Sequence, residues 1–131
     1  MTTERIEVMI QEVGKLSARV IALLGLKLKA GQPIYLGESN IIHMETSHPY
    51  DYSRYGQYIT DIILSPDYVG QNPKDGSIEY VKVFNINNDN VKVAVRLSGS
   101  GVLYARSLYV LNPNRTANFL KKGTLKRYAE L

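Results

Sequence analysis

The run from Val91 to Leu111, VKVAVRLSGSGVLYARSLYVL, limits what this chain can fold into more than any other part of it. Val91, Val93, Val95 and Leu97 alternate with Lys92, Ala94 and Arg96. A period of two is that of a strand with one apolar face. Ser98-Gly99-Ser100-Gly101 supplies a turn, and Val102 to Leu111 follows with apolar residues on both faces, which suits a strand central in its sheet. A two-stranded ribbon is marginal in water, so the remaining chain is expected to supply further strands and a covering layer.

Upstream, Ser77 to Phe84 also alternates. Ile78, Tyr80, Lys82 and Phe84 fall on one side and Glu79, Val81 and Val83 on the other. Asn85 to Asn90 reads as a hairpin loop, Tyr68 to Gly70 as a short strand, and Asn72 to Gly76 as the turn between strands. Before Ser65 the apolar period lengthens. Ile6, Met9, Ile10, Val13, Leu16, Val20, Leu23 and Leu24 predict a long amphipathic helix over residues 4–24, capped by Thr3 and stopped by Gly25. Ile34 to Leu36 is a short extended piece. Ser39 caps a short helix over 40–47, and Asp51 caps another over 52–64. After Asn112-Pro113 a last short helix covers 114–122, and the basic tail 124–131 reads as loose. The expectation is one α+β domain over residues 1–131. Its N-terminal helices precede a four-stranded antiparallel sheet and pack on one face, leaving the other partly open, and a short C-terminal helix closes it.

Composition narrows the function. At 131 residues and 44% hydrophobic content the chain can build one real core. No apolar run reaches membrane-span length and no stretch reads as a signal peptide. The absence of cysteine removes disulfides and thiolate metal sites and fits a reducing cytoplasm. A net charge of +4 leans towards an anionic partner. No phosphate-binding glycine loop and no nucleophile elbow is present, so no cofactor is expected. The two histidines, His43 and His48, have no carboxylate cluster at ligand spacing. On an ideal helix they would sit about 140° apart. No metal site is expected.

What remains is His43, His48, Lys82, Arg96, Arg106, Ser107 and Tyr109. This inventory suits phosphodiester cleavage by an internal 2′-hydroxyl. A base removes the hydroxyl proton, cations and directed donors hold the charge that builds on phosphorus oxygens, and an acid protonates the departing 5′-oxygen. Lys92, on the Arg96 face of its strand, and Arg106 are the candidate nucleic-acid contacts. Strand parity puts Ser107 and Tyr109 on one side and Arg106 on the other unless the strand bulges. Each residue also has an ordinary reading. A histidine before proline can be a surface or capping residue, Lys82 can snorkel at a sheet edge, Arg96 can be solvated, and Tyr109 can belong to a core.

Three segments carry a resemblance: GQPIYLGESNIIHMETSHPYDYSRYG, ILSPDYVGQNPKDGSIEYVKVF and VAVRLSGSGVLYARSLYVLN. In this order and spacing, over roughly Val13 to Thr124, the chain resembles the phage-associated nucleases of the barnase, EndoU, colicin and RelE group. The resemblance implies helices ahead of a four-stranded antiparallel sheet and metal-independent RNA cleavage leaving a 2′,3′-cyclic phosphate. It implies acid/base roles for His43 and His48 and phosphate contacts for Lys82 and Arg96, with Arg106, Ser107 and Tyr109 completing the site. RNA, tRNA among it, is the implied partner, in a bacterial host cytoplasm. An inhibitor or a phage protein partner, and a homodimer through the N-terminal helix, are further expectations. Against the nuclease stands a noncatalytic nucleic-acid-binding or phage structural module on the same fold.

Overall fold

A computed structural model of the chain describes residues 10–129. Their elements are, in order, β1 (Ile10–Lys15), α1 (Ala18–Leu24), β2 (Pro33–Gly37), α2 (Glu38–Ser47), α3 (Pro49–Tyr55), a 3-10 turn (Gly56–Tyr58), α4 (Ile59–Leu64), β3 (Tyr68–Gln71), β4 (Ile78–Phe84), β5 (Asp89–Leu97), β6 (Leu103–Leu111), α5 (Pro113–Lys122) and β7 (Leu125–Arg127). The strands form one sheet in the order β1-β2-β6-β5-β4-β3-β7. Every pairing is antiparallel except that of β2 with β6. Among the described residues no helix is long and apolar enough to cross a membrane.

The alternation in β5 sets the layers. Val91, Val93 and Val95 are fully buried, as are Leu108 and Ala105 beside them on β6. Ile78 and Tyr80 on β4 and Val69 on β3 continue that face, and Val20 of α1 with Ile59, Ile62 and Ile63 of α4 close over it. A smaller apolar cluster lies on the opposite face, where Phe119 and Leu120 of α5 cover Val81, Leu111 and Leu125. β2 pairs with β6 only at Ile34–Leu103 and Tyr35–Tyr104, then stops at Gly37. From there α2 and α3 run beside β6 in its place. The Asp51 carboxylate of α3 accepts a hydrogen bond from the Val110 amide at 3.0 Å, giving the strand edge a partner that a neighbouring strand would otherwise supply.

This architecture corrects the expected four-stranded antiparallel sheet behind a long helix. The overall class is α+β, but the sheet has seven strands and is mixed. Residues 1–9 of the expected 4–24 helix lie outside the described residues. Residues 10–15 are a strand, and only Ala18–Leu24 is helical within the rest. Ile10, Val13, Leu16 and Val20 imitate helical spacing because β1 carries an irregularity between Glu12 and Gly14, which shifts its apolar positions out of strict alternation. Gly14 is where α4 crosses closest, since a Cβ there would lie 2.8 Å from Ile63 Cγ2. A single long helix that could pair with a second copy is therefore not what residues 10–24 form.

The tail is corrected as well. Leu125–Arg127 pairs with β3, and Leu125 is 2% exposed. A Cβ on Gly70 would come within 2.2 Å of the Thr124 carbonyl, so glycine is what lets β7 lie alongside. Nor do the helices keep to one face, because α5 covers part of the face expected to be open. The helix expected over 52–64 is broken by the 3-10 turn at Gly56. Asp51, expected to cap it, lies within α3 and serves β6 instead.

Candidate active site

The face of β5 opposite its valines carries Lys92, Ala94 and Arg96, and cross-strand pairing sets Ala94 beside Ser107. At this point β6 holds one extra residue: Ala94 pairs with Ser107 and Val95 with Ala105, so Arg106 has no partner of its own. A bulge of this kind re-aims a side chain. Arg106 accordingly lines the same cavity as Ser107, which strand parity alone forbids.

That cavity has a volume of about 400 Å³. Ala94 forms its floor, where a small side chain leaves room between the strands. His43 of α2, Arg96, Arg106 and Ser107 stand around it, with Asp75 and Ser77 from the β3–β4 connection and Ser39 and Asn40 from the start of α2. α2 presents His43 to the strand because Met44, next along, is fully buried in the core and fixes the helix's rotation. The Asn40 side chain accepts from the Gly37 amide at 2.9 Å and ties down the first turn. Among the described residues Arg96 has one ion-pair partner, the Asp75 carboxylate at 3.4 Å, with both side chains about 40% exposed. An open pair of that length is weak. Hydrogen bonds from Ser77 hold the Asp75 carboxyl below the usual carboxylate range, and the Arg96 charge adds to this. Arg106 has no hydrogen bond or ion pair among the described residues.

A second line of residues continues along β6. His48, at the end of α2, stacks on Tyr109 with ring centroids 4.8 Å apart and planes 28° apart. The Lys92 ammonium lies 4.7 Å from the centre of the same tyrosine ring. Lys92 also donates to Glu79 at 2.9 Å, and Glu79 accepts from Asn72 at 3.3 Å. Both members of this ion pair are buried. Burial acts to lower the Lys92 pKa, but its interactions with Tyr109 and Glu79 outweigh this and hold it above the ordinary lysine value. His48 is the C-cap residue, with φ −141° and ψ 66°, so it leaves the helical path and is not held to the separation of about 140° from His43 that an ideal helix would impose.

The structure therefore brings His43, Arg96, Arg106 and Ser107 together and sets His48, Tyr109 and Lys92 beside them. Lys82 is elsewhere. It projects on the valine side of the sheet, opposite the cavity, and donates to the Ser65 carbonyl at 2.8 Å and the Ser65 hydroxyl at 3.2 Å, closing the C-terminus of α4. Sequence reasoning passed over Asp75, Ser77, Ser39, Asn40 and Glu79. For Ser77 the sequence holds only its alternation onto the Glu79 side of the strand; the register that sets it one step beyond the Ile78–Val95 pair, towards Arg96, belongs to the folded sheet. Among the described residues no three His, Cys, Asp or Glu side chains gather as metal ligands do.

Fold and cavity together define a small α+β protein with an imidazole, two guanidinium groups and a hydroxyl around one opening. The profile of the phage-Barnase-EndoU-ColicinE5/D-RelE like nuclease3 family matches residues 11–118. The chain belongs to this nuclease family. Neither a curated protein nor a solved structure matches it.

Proposed function

We propose that the chain is an endoribonuclease that cleaves by attack of the substrate's own 2′-hydroxyl, without a metal. The observation that carries this reading is the convergence of His43, Arg96, Arg106 and Ser107 on one cavity. His43, exposed at its rim, takes the 2′-hydroxyl proton, a task imidazole suits because it exchanges protons near neutral pH. The oxygen then attacks phosphorus. Arg96 and Arg106 hold the charge that grows on the non-bridging oxygens, and the Ser107 hydroxyl donates to one of them. Arg96 leaves Asp75 for the phosphate, an exchange the long, half-exposed pair makes inexpensive. His48, flat against Tyr109 one step along the strand, is the acid that protonates the leaving 5′-oxygen. Products are a 2′,3′-cyclic phosphate and a 5′-hydroxyl. Lys82 has no part in this scheme.

The test uses RNA oligonucleotides in EDTA with a single 2′-deoxy sugar at the cut position. Cleavage stops at that sugar if its hydroxyl is the nucleophile, and the uncut sites yield cyclic phosphate ends. Cutting at the deoxy position, or cutting of DNA, contradicts the reading. A substrate with a 5′-thio leaving group separates the acid from the base. It restores cleavage by His48→Ala, because a thiolate leaves without a proton, and does not restore His43→Ala.

A further inference from the structure

Charge is unevenly divided along the chain. Residues 1–89 hold eight basic and eleven acidic side chains, whereas residues 90–129 hold eight basic and none acidic. Three of these eight have their places already: Lys92 in its buried ion pair, Arg96 and Arg106 at the cavity. The other five, Arg115, Lys121, Lys122, Lys126 and Arg127, belong to α5 and β7, and all five are exposed. We infer that this surface is a second phosphate-binding site, which holds the RNA strand at a distance from the cut. The inference rests on the ribonuclease reading for the identity of the strand, and on the surface's own charge and position for the contact.

α5 lies on the same face of the sheet as the cavity. Lys92, which alternates with Ala94 and Arg96, pairs with Val81 and with Tyr109, and Val81 is among the residues that Phe119 and Leu120 cover. From Ser107 past Tyr109 to Leu111, also under α5, is four residues of strand, about 13 Å. The helix therefore begins where the second line of site residues ends. Its buried Thr116 and its Leu120 face the sheet, while Asn118, Lys121 and Lys122 span about 100° on the other side. Lys121 and Lys122 have no hydrogen bond or ion pair among the described residues. After the left-handed turn at Gly123, pairing of β7 with β3 anchors Lys126 and Arg127 alongside. Two grooves, of about 540 and 260 Å³, share Gly123 and Lys126. Lys121 and Arg127 line the first and Lys122 the second, and no acidic side chain lines either. Cations with no carboxylate among them suit a row of phosphates. An anionic membrane fits less well, because none of the large apolar side chains exposed among the described residues lies within 113–129.

The experiment measures binding of the full chain to 2′-O-methyl RNA, which has no free 2′-hydroxyl to attack with, by fluorescence anisotropy over a salt series. Oligonucleotides of about four and about sixteen nucleotides are compared. Lys121→Gln with Lys122→Gln weakens binding of the longer one about tenfold and lowers its salt slope by about one, since each contact with a single strand contributes about 0.7. The shorter one, which fills only the cavity, binds the variant as it binds the parent. Lys121→Arg with Lys122→Arg keeps the charge and binds both lengths as the parent does. Lysines in a last helical turn also answer the helix dipole; a role confined to that would move the melting point and leave RNA affinity intact, which overturns the inference. So does failure of the parent to bind the longer oligonucleotide, or an equal loss at both lengths, the mark of a diffuse field. Loss of binding to phosphatidylserine vesicles with RNA binding unchanged would assign the surface to a membrane and overturn it as well. A length-dependent loss in a protein that cuts no RNA would sink the ribonuclease reading and keep the strand site. Cleavage of both lengths by the Gln variant with the parent's kcat/KM would sink the strand site and keep the ribonuclease reading.

Discussion

Replacing Lys92 by Met removes the charge from a buried ion pair and keeps most of its volume. The Lys92 and Glu79 side chains are 9% and 7% exposed and meet at 2.9 Å. At an effective dielectric of about 20 their attraction is about 6 kcal/mol. Desolvation of two ions costs several kcal/mol each, so the net value of the intact pair is small. Removing one partner is different, because Glu79 is left charged in a closed environment where, among the described residues, only the Asn72 amide answers it. The expected loss is about 3–5 kcal/mol, against a total stability on the order of 7–20 kcal/mol for a chain of this length. Lys92→Met with Glu79→Leu should recover most of that loss. Urea unfolding of the two variants and the parent at pH 7 measures both quantities. A single variant within about 1 kcal/mol of the parent, or a double variant as unstable as the single, would refute this account. The same variant bears on RNA. A lysine touching phosphate lowers the salt slope of binding by about one when removed, and for the buried Lys92 no such change is expected.

Three other outcomes follow from the geometry. Ala94→Leu fills the cavity floor between Arg96 and Ser107, so cleavage should fall about a hundredfold or more, the scale of a misplaced reacting group, while circular dichroism stays as in the parent; unimpaired cleavage would mean the chemistry lies elsewhere. Arg96→Ala and Arg106→Ala should each weaken RNA binding and lower its salt slope by about one, and a slope equal to the parent's would count against a phosphate contact at that residue. Tyr80 is fully enclosed, its hydroxyl has no partner among the described residues, and burial pushes its pKa up. Above pH 10 the unfolded chain therefore loses this proton before the folded one does, and stability falls as pH rises. Tyr80→Phe should leave neutral-pH stability equal or higher and carry alkaline unfolding to higher pH, and unchanged alkaline unfolding would contradict that role.

Much of the sheet was legible because its period is two over long runs. The three strands between Ser77 and Leu111 fall within about two residues of where alternation puts them, since Val91, Val93 and Val95 face a closed core and nothing else competes for them. The edge strands were not legible. β1 is irregular at Glu12 to Gly14 and β7 is three residues long, so neither shows a period. The parallel β2–β6 contact rests on two residue pairs and leaves no local trace. In the site, parity put Arg96 opposite the valines and Ser107 with Tyr109. What parity could not supply was the bulge that brings Arg106 round, because a bulge is a property of two strands in register. Lys92 reads as a nucleic-acid contact because it alternates with the valines, and Glu79 is placed only on the Val81 side of its strand, so neither position shows an ion pair. Their burial comes from the layer around Tyr109 and α5, which only the folded chain assembles.

The central claim is that His43 and the cations around its cavity cut RNA without a metal. Purified protein incubated with total bacterial RNA in EDTA, beside His43→Ala, tests it most directly. The account predicts fragments with cyclic phosphate ends from the parent and none from the variant. His43 is exposed and supports no core contact, so the variant should melt at the parent's temperature. Equal cleavage by both proteins, or none by the parent across several RNAs and pH values, would contradict it.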